Sequence, residues 1–269
     1  MPFENYLREK LANRFDLLGI GKMETKPKSE TSSTVLRAIK IINYLNAVPG
    51  PQGLNDISRS LELSPTIVHR LLTTLKLEGL VFQDPRTKLY SLGTIFLEYA
   101  NKIMTEMPLA PLVEPWLINL RNDIRETVGF YVPSGSSRVC TMEVESNQEI
   151  RRSVGIGKKH PLYLGASGRA ILAFMSEEIQ ERVLSPLPVE QQQSIRALLE
   201  KTVKDGYSTN EEEITPNVGA LSAPVFDQNK RVIGAISVSG PVFRWNRKTM
   251  QAFVPVLLRV TRSISESFE

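Results

Sequence analysis

The spacing of apolar residues changes along this chain, and each change predicts an element. From Ser33 onward Val35, Ala38, Ile39, Ile42 and Leu45 recur at intervals of three and four, which predicts a helix over about 33–46. Pro49, Gly50, Pro51 and Gly53 break it. Asn55 is placed to cap a short second helix carrying Ile57 and Leu61, and Glu62-Leu63-Ser64 makes a tight turn. The next stretch, SPTIVHRLLTTLKLEGL over 64–80, dominates the first half of the chain. Ser64 can cap a helix, Pro65 suits its first position and Gly79 its left-handed stop. Val68, Leu71, Leu72 and Leu75 fall on one face. At about 100° per residue, Thr66, Arg70 and Thr73 lie opposite, with His69 on the flank.

Two short β-prone runs follow, Leu80–Asp84 and Lys88–Leu92, around the turn Pro85-Arg86-Thr87, and predict a hairpin. Phe96, Tyr99, Ala100 and Ile103 then mark a helix over about 94–106 with no partner inside a small domain, so it is expected to connect domains or subunits. Upstream, Phe3, Leu7, Leu11, Phe15 and Leu18 have helical spacing over 3–19, and a polar linker runs from Lys22 to Ser33. Met23 stands where an internal start could leave 1–22 as an extension.

Beyond Pro108 the pattern mixes periods without strict alternation. Helices are predicted over 112–124, 177–184, 189–203 and 248–267, and strands over 127–132, 138–144, 223–226 and 232–239. The expected class is α+β with an antiparallel sheet. Glu211, Glu212 and Glu213 read as a solvated helix start, His160 as a loop residue and Cys140 as a buried strand residue.

Charge sharpens the division. Residues 1–105 hold 14 Lys/Arg and 10 Asp/Glu, a balance of +4; residues 106–269 hold 19 and 19, a balance of zero. The whole net charge of +4 therefore lies with the capped helix, as a polyanion-binding end would have it. Two short helices, a tight turn and a hairpin after a supporting helix make a winged helix-turn-helix. An ordinary amphipathic surface helix would show the same periodicity as 64–80; the neighbouring elements decide for double-stranded DNA. The DNA-binding set is Ser64, Thr66, His69, Arg70 and Thr73 at the groove, with Arg86 and Lys88 of the wing on phosphates.

A single cysteine and two histidines provide no disulfide framework and no metal set, and fit a reducing cytoplasm. No apolar run approaches the roughly 20 residues of a membrane span. In the second half, Gly165 to Gly168 places small residues at a helix start, where uncovered N–H groups and the dipole favour an anion, although small residues also serve close packing. Ser237 and Ser239 are two apart on a strand and share a face. With no GxSxG, no paired carboxylates and no metal set, the chain is read as a non-enzyme; the competing class is a small-molecule-binding enzyme with a vestigial winged domain.

The segments TVLRAIKIINYL, LELSPTIVHRLLTTLKLEGLVFQD, GASGRAILAFM, GYSTNEEEI and ALSAPVFDQNKRVIGAISVSGP resemble the IclR family of bacterial transcriptional regulators, over about 33–269. The resemblance implies a winged helix-turn-helix, a linker helix and a C-terminal GAF/PAS-like effector-binding domain. On it, 1–32 is an extension and linker, 33–92 the DNA-binding domain, 93–107 the linker helix and 108–269 the effector-binding domain. It further implies a homo-oligomer, a dimer or dimer of dimers, that binds operator DNA beside a catabolic operon. A small organic or aromatic acid would set its affinity, with no cofactor, and family habit puts repressor ahead of activator. The family's effector contacts fall on Ala166, Ser167, Gly168, Asn210, Ala220, Ser237 and Ser239. Asn210 stands in place of a usual aspartate and Ala220 of a usual cysteine, which points to a ligand larger or more apolar than glyoxylate. Ile67 stands where threonine is usual, so base preference does not carry over.

Overall fold

A computed structural model describes residues 31–105 and 109–268, which fall into two compact units, divided near residue 107. The helix expected over 3–19, nearly all of the linker after it and the alternative start at Met23 lie outside the described residues.

The first unit is three helices and a small sheet. Helix α1 (Ser33–Ala47) is capped by Ser32, whose hydroxyl accepts from the Val35 N–H. Helix α2 (Leu54–Leu61) starts at Gly53 with no side-chain cap, so Asn55 sits inside the helix rather than capping it. Ser58 holds the turn that follows: its backbone carbonyl accepts from Leu63 N–H at 3.1 Å while its hydroxyl donates to the Leu63 carbonyl at 2.5 Å. Glu62 takes the left-handed conformation there, with φ of 54°. Helix α3 (Pro65–Leu77) is capped by Ser64 and ends in a paired stop. Leu80 N–H bonds the Leu75 carbonyl at 2.9 Å and Gly79 N–H the Lys76 carbonyl at 3.1 Å, with Gly79 at φ 70°.

Strands β1 (Val81–Gln83) and β2 (Tyr90–Leu92) make the hairpin, with Val81 opposite Leu92. Gln52 adds a third edge, exchanging two 2.8 Å bonds with Tyr90, which periodicity gave no hint of. The core joins Ile41, Leu45, Ile57, Val68, Leu72 and Leu75 to Val81 and Tyr90. The buried stripe of α1 differs from the expected one. Ile41 and Leu45 are buried, while Val35 and Ile39 are exposed, because the surrounding elements cover the Ile41–Leu45 turn. Helix α4 (Ile95–Thr105) keeps Leu97, Tyr99 and Ile103 exposed within this unit.

The second unit is built on a six-stranded antiparallel sheet, the architecture expected of the α+β class. Its strands are β3 (Thr127–Ser134), β4 (Ser137–Val144), β5 (Lys159–Pro161), β6 (Ser208–Glu211), β7 (Val218–Phe226) and β8 (Val232–Pro241), in the order β5-β4-β3-β8-β7-β6. Helices α5 (Ala110–Ile124) and α9 (Arg247–Glu266) pack on β3 and β7; α6 (Gly165–Leu172) packs on β7 and β8 and is backed by α8 (Val189–Asp205), with α7 (Glu177–Leu184) between α6 and α8 in the chain. Alternation along β8 sends Ala235, Ser237 and Ser239 to one face and Ile236 and Val238 to the other. Ala235 joins the core that α6 and α8 form with Tyr131 and Cys140.

Four expectations change here. The stretch before His160 is not all loop, since Lys159–Pro161 pairs with β4. A strand at 208–211, unread in the sequence, closes the other edge. Strand β7 begins at Val218, five residues earlier than expected, because Gly219 and Ala220 have weak strand propensity yet pair in register with Gly240 and Ser239. The acidic run is no helix start: Glu211 ends β6 and accepts from Arg247 N–H, while Glu213 accepts from Gly165 N–H and from Arg169.

An ion pair between the buried Glu126 and the partly buried Arg244 closes one end of this sheet. Arg244 meets Glu126 at 2.5 and 3.1 Å and also donates to the Ile150 carbonyl.

Candidate functional site

The first unit presents one polar surface built by α3 and the hairpin. With Val68, Leu71, Leu72 and Leu75 buried, helical geometry sends the side chains of Thr66, His69, Arg70 and Thr73 to solvent. Ser64 is exposed at the helix start, its hydroxyl engaged as the cap at 3.4 Å from Ile67 N. The Thr73 hydroxyl donates to the His69 carbonyl at 2.9 Å, which fixes its rotamer. Arg70 forms no ion pair with a described residue, so its charge is free for a phosphate or a base edge.

The hairpin turn is held by Asp84. Its carboxylate accepts from Arg86 N–H at 2.9 Å and Thr87 N–H at 2.7 Å, and the Thr87 bonds hold its pKa below the ordinary carboxylate value. The turn holds Arg86 and Lys88 outward and exposed. Lys76, at the end of α3, reaches Gln83 of the hairpin at 3.2 Å, tying helix to wing. All seven residues expected at DNA therefore lie exposed on α3, its cap and the hairpin tip.

The second unit holds a cavity of about 50 Å³ between β8, β7, the start of α6 and β4. Six of the seven residues expected at an effector line it: Ala166, Ser167, Asn210, Ala220, Ser237 and Ser239. Gly168 does not. A Cβ there would stand 2.4 Å from the Leu162 carbonyl and 2.7 Å from Arg138, so glycine is required for close packing.

The helix start is also less open than its small residues suggested. Glu213 occupies Gly165 N–H at 2.9 Å and Asn210 Oδ1 occupies Ala166 N–H at 3.2 Å. Ser237 accepts a 2.7 Å bond from the hydroxyl of Ser222, directly opposite on β7. Ser239 is nearly as buried and stands opposite Ala220.

Eight lining residues were not among the expected ones; Tyr131, Arg138, Arg152, His160 and Thr215 are polar, and Val154, Ile214 and Val218 are apolar. Arg138 is 2% exposed. It donates from Nε to Ser167 Oγ at 2.7 Å and from Nη1 to the Pro161 carbonyl at 2.5 Å, and lies over the Tyr131 ring. Burial pushes its pKa down to about 10, so it stays charged at neutral pH. His160 faces it across the β4–β5 ladder, and burial followed by the charges of Arg138, Arg152 and Lys158 lowers its pKa. Burial raises Tyr131 far above a normal phenol and the Cys140 thiol to about 12. Neither is a nucleophile at neutral pH. No cluster of three metal-ligating side chains occurs among the described residues. No helix among them is long and apolar enough to cross a membrane.

Comparison with known proteins matches two family models in succession along the chain. Residues 34–85 match the model of the IclR helix-turn-helix domain, and residues 101–266 that of the bacterial transcriptional regulator IclR C-terminal domain. The transcriptional repressor IclR of Escherichia coli K12 is 25% identical over 260 residues, 91% of this chain and 93% of that protein. The regulator BhcR of Paracoccus denitrificans is 27% identical over 237 residues, 85% of each. Among solved structures, an IclR family regulator from Brucella abortus superposes with a TM-score of 0.76 at 23% identity, covering 93% of this chain and 97% of that one. An IclR homolog from Microbacterium hydrocarbonoxydans, complexed with 4-hydroxybenzoate, has a TM-score of 0.72 at 20% identity, covering 88% and 99%.

Proposed function

We propose a specific mode of action for this chain, which belongs to the IclR family of bacterial transcriptional regulators and, like them, is a DNA-binding regulator with an effector-binding domain and not an enzyme. The enzyme reading is thereby set aside. In our reading residues 33–92 bind an operator, 93–107 link, and 108–269 sense a small organic acid that controls a catabolic operon in the cytoplasm. The observation that carries it is the exposed face of α3, with Thr66, His69, Arg70 and Thr73 beside a wing bearing Arg86 and Lys88. A helix of this kind reads base edges in a major groove while the wing positions it on phosphates.

The sign we propose is repression, supported by the name of the Escherichia coli relative. The protein would act as a dimer or dimer of dimers, so that its operator is a palindrome. The effector changes operator affinity only if it binds one arrangement of the protein better than another. The relative holding 4-hydroxybenzoate supports an acid as the effector class. For this chain we favour a compact, charged ligand over the larger or more apolar one that Asn210 and Ala220 suggest. The support is a lining that sets Arg138, Arg152, His160 and several hydroxyls beside Val154, Ile214 and Val218.

The test is retention of random genomic fragments by the purified protein, followed by sequencing. A palindromic site beside a catabolic operon is the expected result. Retention no different from bulk DNA, with and without a panel of organic acids, would overturn the reading.

A further inference from the structure

We infer that the cavity of the second unit is built for a compact dicarboxylate, one of whose carboxylates is held by Arg138 while the other faces Arg152 and His160. This rests on the reading of that unit as effector-binding and narrows the ligand class.

Other buried and partly buried cations of this unit are paired with carboxylates. Arg169 is 3% exposed and meets Glu213 at 2.7 Å. Arg244 meets the buried Glu126. Each is neutralised by a carboxylate, as the desolvation cost of a buried charge demands. Arg138 is as deeply buried as Arg169 yet forms no ion pair with any described residue. Glu213 is the acid whose field reaches it, and that carboxylate already serves Arg169 and Gly165 N–H.

Two of the five donors of Arg138 go to neutral acceptors, Ser167 Oγ and the Pro161 carbonyl, which lock the guanidinium plane. Its Nη2 makes no hydrogen bond among the described residues, and the side chain lines the cavity. An arginine in this state is short of one partner: an anion with planar oxygens.

The rest of the lining calls for a second charge. Arg152 contributes a guanidinium that, among the described residues, bonds only the Ser153 carbonyl, and His160 an imidazole that can be protonated. No Asp or Glu lines the cavity. Asn210 is neutral, and because its Oδ1 accepts from Ala166 N–H, its amide N–H groups are free to donate. Ser239 and Thr215 add hydroxyls. A monocarboxylate satisfies Arg138 and leaves the partly buried Arg152, with His160 beside it, able to meet a second anionic group.

The full-length protein is titrated by calorimetry, and its unfolding temperature followed, with malonate, succinate, acetate and propionate at matched ionic strength. Malonate or succinate is expected to bind and to raise the unfolding temperature. The monocarboxylates should bind on the order of tenfold or more weaker, the loss of one charged hydrogen-bonding pair. Arg138→Met should lose dicarboxylate binding on the order of 10- to 100-fold. Arg138→Lys keeps the charge but not the forked geometry and should fall between. Arg152→Gln leaves the Arg138 anchors intact and should narrow the preference for two carboxylates over one.

Equal response to acetate and malonate, no response to any of the four, or wild-type titration by a folded Arg138→Met each overturns the inference. If Arg138→Met fails to fold, an Arg152→Gln protein with an undiminished dicarboxylate preference overturns it. The operator reading is tested apart, by mobility shift without ligand: a protein that titrates malonate but retains no DNA keeps this inference and loses the regulator reading.

Discussion

The two units handle charge in opposite ways. On α3 and the wing, Arg70, Arg86 and Lys88 stand in water, held in place by backbone geometry and by the Asp84 turn. In the cavity of the second unit, Arg138 is buried and held by two neutral acceptors. The first arrangement suits a long polyanion, where many weak, screened contacts sum and counterions are released. The second suits a small anion, where one desolvated contact carries most of the energy. An exposed cation costs little to keep unpaired; a buried one is a liability until its ligand arrives.

The comparison can be broken most violently by leaving a buried charge unpaired. Arg244→Ala strands the buried Glu126 carboxylate and should cost on the order of 3–5 kcal/mol in the second unit. Urea unfolding followed by tryptophan fluorescence reads this, because Trp245 is the next residue and is 1% exposed. An exposed pair such as Arg59 with Asp56 should by contrast contribute nearly nothing, and Arg59→Ala is its control. Equal losses from the two would undo the distinction between the units.

Next in size is Arg70→Ala. If Arg70 reads a base, specific operator affinity should fall by about 1–3 kcal/mol, with no change in unfolding, since the side chain packs against nothing in the core. A footprint identical to wild type would remove it from the interface. Arg86→Ala should do less: a uniform weakening across sequences, with the salt slope reduced by about 1. A sequence-selective loss at Arg86 would place it at a base rather than at a phosphate.

How far each unit could be read from the sequence follows from the same contrast. A recognition helix is local. Its cap Ser64, its stop Gly79 and its apolar stripe lie within one run of residues, and period alone turns Arg70 outward. The hairpin is nearly as local, and only the Gln52 edge, brought in from beyond two helices, escaped.

The cavity is assembled from β4, β5, β7, β8 and α6, so its composition depends on strand register across gaps of tens of residues. Motif likeness located the α6 start and the Ser237–Ser239 pair, but nothing in the residues around Arg138 marks it as buried. An arginine between two serines and a valine is most often a surface residue. Only the pairing of β4 with β3 and β5 turns it inward. Glu213 was misread for the same reason: its partner Arg169 lies 44 residues away. The free helix N-terminus was an over-reading, since small residues at Gly165 and Ala166 admit Glu213 and Asn210 as caps.

The smallest effect tests the cavity's charge through His160. In the free protein burial, then Arg138, Arg152 and Lys158, depress its pKa below the ordinary imidazole value, and no carboxylate lines the cavity to oppose them. A bound anion adds the missing negative charge and must raise that pKa, since opposite charge favours the protonated ring. The complex therefore binds more protons than the free protein, and affinity must increase as pH falls toward the titration of His160. The gain should be only a few-fold, because a single partly exposed imidazole takes up the proton while Arg138 stays charged throughout. Calorimetry with malonate in two buffers of different ionisation heat reads the sign directly, as proton uptake on binding. In His160→Gln the uptake should vanish while most of the affinity remains. Proton release, or an uptake that survives the substitution, would mean that His160 does not face the bound charge and that the cationic lining ends at the two arginines.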